Sequence, residues 1–218
     1  PRQVMRFLHN VLHLDSSISV TIGEPLDPFG NQVNQDGESV DQRGRVIDIE
    51  RYVTDSQGVP SHYPQRDRVY TRQAGAALAA AFRRGNSALA TNLVAMALFE
   101  VLKARFPSLD LYRLLRTAGG GTGTPIAQVA GAVRDLLDRV RSLAARGEIH
   151  LSDEVRDASA ADVISSALRH FGTYHTHPVI TRRGDRLFAD DMNLLYYYRN
   201  RLDGYGLETD LSTGVGGR

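Results

Sequence analysis

Apolar residues recur at helical spacing over most of this chain and at strand spacing over little of it. Near the start, Val4, Phe7, Leu8, Val11 and Leu12 share one helix face. The alternation Ile18, Val20, Ile22 then predicts a strand, stopped by Gly23 and Pro25. Residues 30–67 are polar, with scattered apolar positions at Val33, Val40, Val46, Ile47, Ile49, Tyr52, Val53 and Val59. They read as an extended excursion over a surface, with a short strand at 45–49 or a helical turn at 49–53.

From residue 68 the pattern is helical. An Ala-rich helix covers 69–84 and stops at Gly85. A strongly apolar one covers 87–106, with Leu89, Leu93, Met96, Ala97, Phe99, Glu100 and Leu102, and Pro107 follows it. A short helix at 109–116 leads to a glycine-rich loop, Gly119 to Gly123. Pro125 opens a helix with Ile126, Val129, Ala130, Val133, Leu137, Val140 and Ala144 on one face, ended by Gly147. On its other face Arg134, Asp135, Asp138 and Arg139 are spaced for opposite-charge pairs four apart, worth about 0.3 kcal/mol each. Ser159 is placed to cap a helix over 159–171. Residues 178–188 predict a hairpin around Arg182-Arg183-Gly184-Asp185, and 190–202 a closing helix with acids at its start and arginines at its end. No internal repeat stands out. The expected fold class is mainly α with a small β component: the last helix and strand of an α/β domain over 1–29, the polar excursion over 30–67, and a helical C-terminal domain with a β-hairpin over 68–218.

Composition narrows the chemistry. The 218 residues include no cysteine, which excludes disulfides and thiolate metal sites. The net charge of +1 gives no global field toward nucleic acid or anionic lipid. Lys103 is the sole lysine, so the cationic groups are almost all guanidinium. That fits either a compositional bias or bidentate recognition of phosphate. The longest wholly apolar runs, 76–82 and 93–99, fall far short of the roughly 20 residues that a spanning helix needs. Any membrane contact is therefore expected to be peripheral. Nothing near the start resembles a signal peptide.

Three groups of residues, taken together and in order, resemble the C-terminal portion of bacterial membrane-bound glycerol-3-phosphate acyltransferases. They are Ile22-Gly23-Glu24-Pro25-Leu26, an Asn-x-x-Ala-x-Ala-Leu stretch from Asn92 to Leu98, and Leu195-Tyr196-Tyr197-Tyr198-Arg199-Asn200. The resemblance implies transfer of a fatty acyl group from acyl-CoA or acyl carrier protein to the first hydroxyl of glycerol 3-phosphate, at the cytoplasmic face of a membrane. In that family the His-x4-Asp base and the phosphate-binding segments precede the Gly-Glu-Pro strand. This chain would then be the non-catalytic tail, working with its own upstream catalytic domain. No catalytic, cofactor-binding or metal-binding residue is carried over to it, no cofactor is expected, and no nucleic-acid partner is expected.

Several local patterns compete with that reading. His62-Tyr63-Pro64-Gln65-Arg66-Asp67 has the His-x4-Asp spacing, but it follows the Gly-Glu-Pro segment and lies in polar sequence. It is read as a chance match, with Asp67 as the cap of the next helix. Gly119 to Gly123 has neither a P-loop nor a dinucleotide ending and reads as a flexible loop. His175 and His177, with His170 nearby, lack further ligands for a metal site. Three consecutive tyrosines, Tyr196 to Tyr198, span too wide an arc for one helix face, so at least one should be core and one exposed. The alternative function is a winged-helix DNA-binding module. Its helices would be 92–106, 109–116 and 125–146, and its wing 179–188, with Arg182, Arg183 and Arg186 at phosphates.

Overall fold

The computed structural model describes residues 20–121, 123–171 and 175–208. The expected helix over 2–14 lies outside them. The described chain is mainly α with a small β component. It divides into two compact units, one holding residues 20–86 and one holding 87–208. The division falls after the first helix rather than before it, because that helix packs on the turns that precede it.

The first unit opens with a correction. Residues 20–25 form no strand, and Val20 and Ile22 are 80% and 92% exposed. An extended segment without a neighbour has no ladder to join. The stretch from 27 to 59, expected to be irregular, is instead a chain of identical turns that repeats every seven residues, which the sequence reading missed. Each begins at an Asp or Asn and closes on a glycine three residues later: Asp27 and Gly30, Asn34 and Gly37, Asp41 and Gly44, Asp55 and Gly58. In each, the glycine amide donates to the first residue's carbonyl, and the first residue's amide donates to the carbonyl of the fifth. All four glycines adopt positive φ, from 76° to 87°, the left-handed region that other residues enter at a cost. In each, too, the leading side chain accepts two backbone amides at 2.8–3.0 Å.

The repeat also predicts a turn at Asp48. Arg51 stands there where the others have glycine. The chain makes a 3-10 turn, Ile49–Tyr52, capped by Asp48, instead of a fifth hairpin. Between turns the chain pairs in short antiparallel steps, β1 (Gln32–Val33) with β2 (Ser39–Val40). A stacked trio covers this ribbon: Phe29 and Tyr52 at 4.6 Å, and Tyr70 within 5.9 Å of both.

Tyr70 belongs to α1 (Pro64–Gly85). Helix α1 starts at Pro64, with Tyr63 at the cap position. Proline suits the first turn because its missing amide has no helical partner there. Asp67 is therefore inside the helix and is not its cap. One stripe of α1, including Tyr70, Ala74, Ala77 and Ala81, is half-buried. Gly30 approaches it so closely that a Cβ there would lie 2.8 Å from Ala77 Cβ.

The second unit is built around α2 (Ala90–Arg105). Every residue from Ala90 to Leu102 is buried. A helix apolar all round belongs at the centre of a core, and α2 is packed by α4 (Ile126–Ala145), α6 (Ala160–His170) and α7 (Met192–Asn200). Before it, β3 (Ser87–Ala88) pairs in parallel with β5 (His150–Leu151). Two short helices, α3 (Leu111–Thr117) and α5 (Asp153–Arg156), complete the set. Between α3 and α4 lies β4 (Thr124–Pro125), which pairs with β7 (Arg186–Ala189) of the expected hairpin, whose other strand is β6 (Ile180–Arg183). The sheet order is β4-β7-β6. Ser159 caps α6 as expected, and Asp162 reaches back to its amide. The expected ion pairs on α4 are replaced: Arg139 donates to the carbonyls of Gly206 and Leu207, two neutral acceptors that lie closer to hand.

Candidate functional site

In the first unit the structure brings together the pair that spacing alone could not promote. His62 Nδ1 lies 2.9 Å from Asp67 Oδ2. Pro64 makes this possible: it starts the helix two residues after His62, and one turn of α1 then returns Asp67 beneath the ring. Arg66 fixes the assembly, donating to the carbonyls of Thr54 and Ser61 and to Asp67 Oδ1 at 3.2 Å. The ring's Nε2 is left toward solvent, on a side chain that is 82% exposed. Around it lies a depression of about 470 Å³ lined by His62, Pro64, Asp67, Arg68, Thr71 and Arg72. Arg68 and Arg72, one turn apart, line the depression together and make no ion pair among the described residues. An oriented imidazole beside two unpaired guanidinium groups can hold an anion. It is open to water, and an exposed base of this kind lacks the dry surroundings of a catalytic one.

The second unit holds a buried charge cluster. Arg199 on α7 faces Glu100 on α2 at 3.3 Å, both 9% exposed or less. It also reaches Asp203 at 3.2 Å and Glu208 at 3.6 Å. Its guanidinium lies 5.7 Å from the Phe99 ring and 5.6 Å from that of Tyr196. Arg199 Nε has no acceptor. Lys103 sits 3.7 Å from the other oxygen of Glu100. Nearby, Asn92 ties the same two helices together. Its Nδ2 donates to the Tyr198 carbonyl at 3.1 Å, and its Oδ1 accepts from the Leu89 amide. The sequence reading missed this pair. Its signal was a lone carboxylate, Glu100, inside an otherwise apolar helix, which requires a buried partner.

The remaining candidates have structural places. Tyr196 packs on Phe99 at 5.2 Å, Tyr197 is 69% exposed, and the Tyr198 hydroxyl meets His175 Nε2 at 2.9 Å. Tyr197 is thus exposed, as the arc argument expected, but neither neighbour is a core residue: Tyr196 and Tyr198 are half-buried at the edge of the core. No group of metal-ligating side chains gathers among the described residues. In the glycine segment, Gly123 is held rather than free. Gly123 lies so near the Phe188 ring that a Cβ would fall 2.7 Å from it, and its carbonyl accepts from Arg186 at 2.7 Å. Glycine is needed there for close approach rather than for an anion cradle. Arg182 and Arg183 are also engaged, with the Gly184 carbonyl and with Asp190. No described helix is long and apolar enough to cross a membrane.

Comparison with family models, with curated proteins and with solved structures finds no match to this chain.

Proposed function

We propose that this chain is the C-terminal, non-catalytic part of a glycerol-3-phosphate acyltransferase, which carries an acyl group from acyl-CoA or acyl carrier protein to the sn-1 hydroxyl of glycerol 3-phosphate. One observation supports the reading. Two of the three segments that carry the resemblance, Asn92 to Phe99 and Leu195 to Asn200, are a hundred residues apart and lie against each other. Asn92 and Arg199, polar residues of those two motifs, close the contact. A helical domain locked in this way would support an upstream catalytic domain acting at the cytoplasmic face of the inner membrane, with peripheral contact. His62 and Asp67 take no part in acyl transfer on this reading.

The test is to extend the reading frame upstream of Pro1 and to assay both products with radiolabelled acyl donor and glycerol 3-phosphate. The longer chain should contain a His-x4-Asp in apolar sequence and transfer the acyl group, and the 218-residue chain should not. A stop codon directly before Pro1, or turnover by the short chain, would overturn the reading.

A second reading, a winged-helix DNA-binding module, is favoured by the sheet order β4-β7-β6 with α4 and α6 between the first strand and the hairpin. In that arrangement α6, rather than α4, would enter the groove. Its exposed residues include Ala161, Asp162, Ser165 and Arg169, an acid and a base on a largely neutral face. All three hairpin arginines are already engaged with protein acceptors. Salt-dependent duplex binding would favour this reading over the first.

A further inference from the structure

We infer that the depression at the start of α1 is a binding site for a phosphate monoester, held by its terminal phosphate. The inference stands on residues 62–72 and does not rest on the acyl-transfer reading.

Arg68 and Arg72 stand one turn apart on α1, where Cβ atoms are about 5–6 Å from each other, and both line the depression. Neither guanidinium meets a protein acceptor among the described residues. Elsewhere Arg66, Arg139, Arg141 and Arg186 all donate to backbone carbonyls. Two like charges at this spacing repel. An anion between them removes the repulsion and gains charge-assisted hydrogen bonds. The lining contains one acid, Asp67, and its carboxylate already faces Arg66 at 3.2 Å and His62 at 2.9 Å. Held by Nδ1, the imidazole keeps Nε2 for a phosphate oxygen: it donates when the ring is charged and accepts from a P–OH when the ring is neutral. The Thr71 hydroxyl donates to the Asp67 carbonyl at 2.8 Å, so it adds no donor for an anion.

The set of donors selects the ligand. Two guanidinium forks and one imidazole nitrogen suit three oxygens that spread from a common centre. A phosphate monoester presents three such oxygens and up to two charges. A diester presents two free oxygens and one charge, and a carboxylate two oxygens in one plane. At about 470 Å³ the depression has room for the phosphate and a small organic substituent. Tyr63 and Val69 are exposed beside it but do not line it, so recognition rests on the phosphate rather than on what carries it. A nucleic-acid backbone would want a longer track of cations. The next arginines on α1, Arg83 and Arg84, lie about 16 Å further along the helix.

The test is calorimetric titration of the full chain with ethyl phosphate, diethyl phosphate and propionate at one ionic strength. Ethyl phosphate should bind at least about tenfold more tightly than either comparator, the weight of one charge-assisted hydrogen bond. Arg68→Ala and Arg72→Ala should each lower its affinity about tenfold. Arg68→Lys with Arg72→Lys should still bind but lose the preference for monoester over carboxylate, since the forks are gone and the charge remains. Arg84→Ala, at the other end of α1, should change nothing. All three arginines are exposed, so far-UV circular dichroism should be the same in every variant. Equal binding of the diester or of propionate, an equal loss in Arg84→Ala, or no binding of ethyl phosphate would overturn the proposal. A second arm finds the source of the monoester. Flotation with vesicles containing phosphatidic acid, but not with phosphatidylglycerol vesicles, would place it on a lipid head. Binding of ethyl phosphate without flotation would place it on a free small molecule, and either result upholds the site.

Discussion

The two units of this chain hold their shape by different means. In residues 87–208, thirteen consecutive positions of α2 are buried and an apolar core extends through α4, α6 and α7. In residues 20–86, no apolar side chain is fully buried, and Ser39 alone among the described residues falls below a tenth exposed. The first kind of order comes from removing apolar area from water, at roughly 25 cal/mol per Å². The second comes from local hydrogen bonding: a side-chain acceptor and a left-handed glycine make each turn, seven residues after the last. A core is cooperative, so a defect anywhere in it is felt throughout. A ribbon of turns is modular, so a defect should stay where it is made.

The strongest test of that contrast is Phe99→Ala. It should cost the helical unit about 4 kcal/mol through lost burial and a residual cavity. Urea denaturation would measure it, while amide exchange at Phe29, Asp36, Arg43 and Gln57 should be unaffected. Loss of protection at those turn amides would break the contrast.

Next in size is Arg199→Ala, expected to cost about 3 kcal/mol because Glu100 is left buried with only the longer contact to the exposed Lys103 to offset its charge. Replacing both partners, Arg199→Met with Glu100→Leu, should restore most of that loss. If the double variant is as unstable as the single one, the pair contributes more than mutual neutralisation.

Two glycine substitutions test the ribbon. Gly30→Ala should cost about 3 kcal/mol, from the positive φ together with overpacking against Ala77 and Ala74. Gly37→Ala has the same backbone but open space, and should cost about 1 kcal/mol. Exchange protection within each turn is the readout, and equal effects would show that the turn alone sets the cost.

The smallest effect is acid loosening. Burial raises the Asp27 carboxyl, but hydrogen bonds from Asn31, Ser39 and Phe29 outweigh it and hold the group below its usual range. The backbone and side chain of Arg45 lower Asp41 in the same way. A depressed carboxylate adds stability that is complete above its unfolded value near 4 and is lost as pH falls through the lower folded value. Protection of the Phe29 and Asn31 amides should therefore fade below about pH 4, with helical circular dichroism still intact.

Much of the second unit was legible from the residues. The apolar stripes on 126–144, the Ser159 cap and the Gly184 hairpin each follow from local rules, and the structure has them within a few residues. The ribbon was missed for a physical reason. Hydrophobic periodicity registers burial, and this segment buries almost nothing. Its order is written in Asp or Asn followed three positions later by Gly, a pattern that polar composition conceals. The strand expected at 18–22 is absent over its described part, 20–22, since alternation states a preference but supplies no neighbour. The His62 and Asp67 spacing was visible, yet their meeting depends on Pro64 setting the start of the helix. The charge cluster around Arg199 needed the tertiary pairing of α2 with α7, which no window of sequence contains.

The guanidinium groups have a further consequence. Arg66, Arg139, Arg141 and Arg186 each donate to backbone carbonyls, and Arg141 alone reaches those of Val155, Arg156 and Ala158. A planar five-donor fork spreads its donors over several carbonyls in fixed directions, where an ammonium offers three from a single point. Drift of the coding sequence toward lysine would thus be tolerated unevenly. Arg43 and Arg134, on exposed surfaces, could change with the nucleotide composition of the genome. The carbonyl-tying positions could not, so an arginine habit that began as a codon preference would persist at those sites after the preference itself had gone.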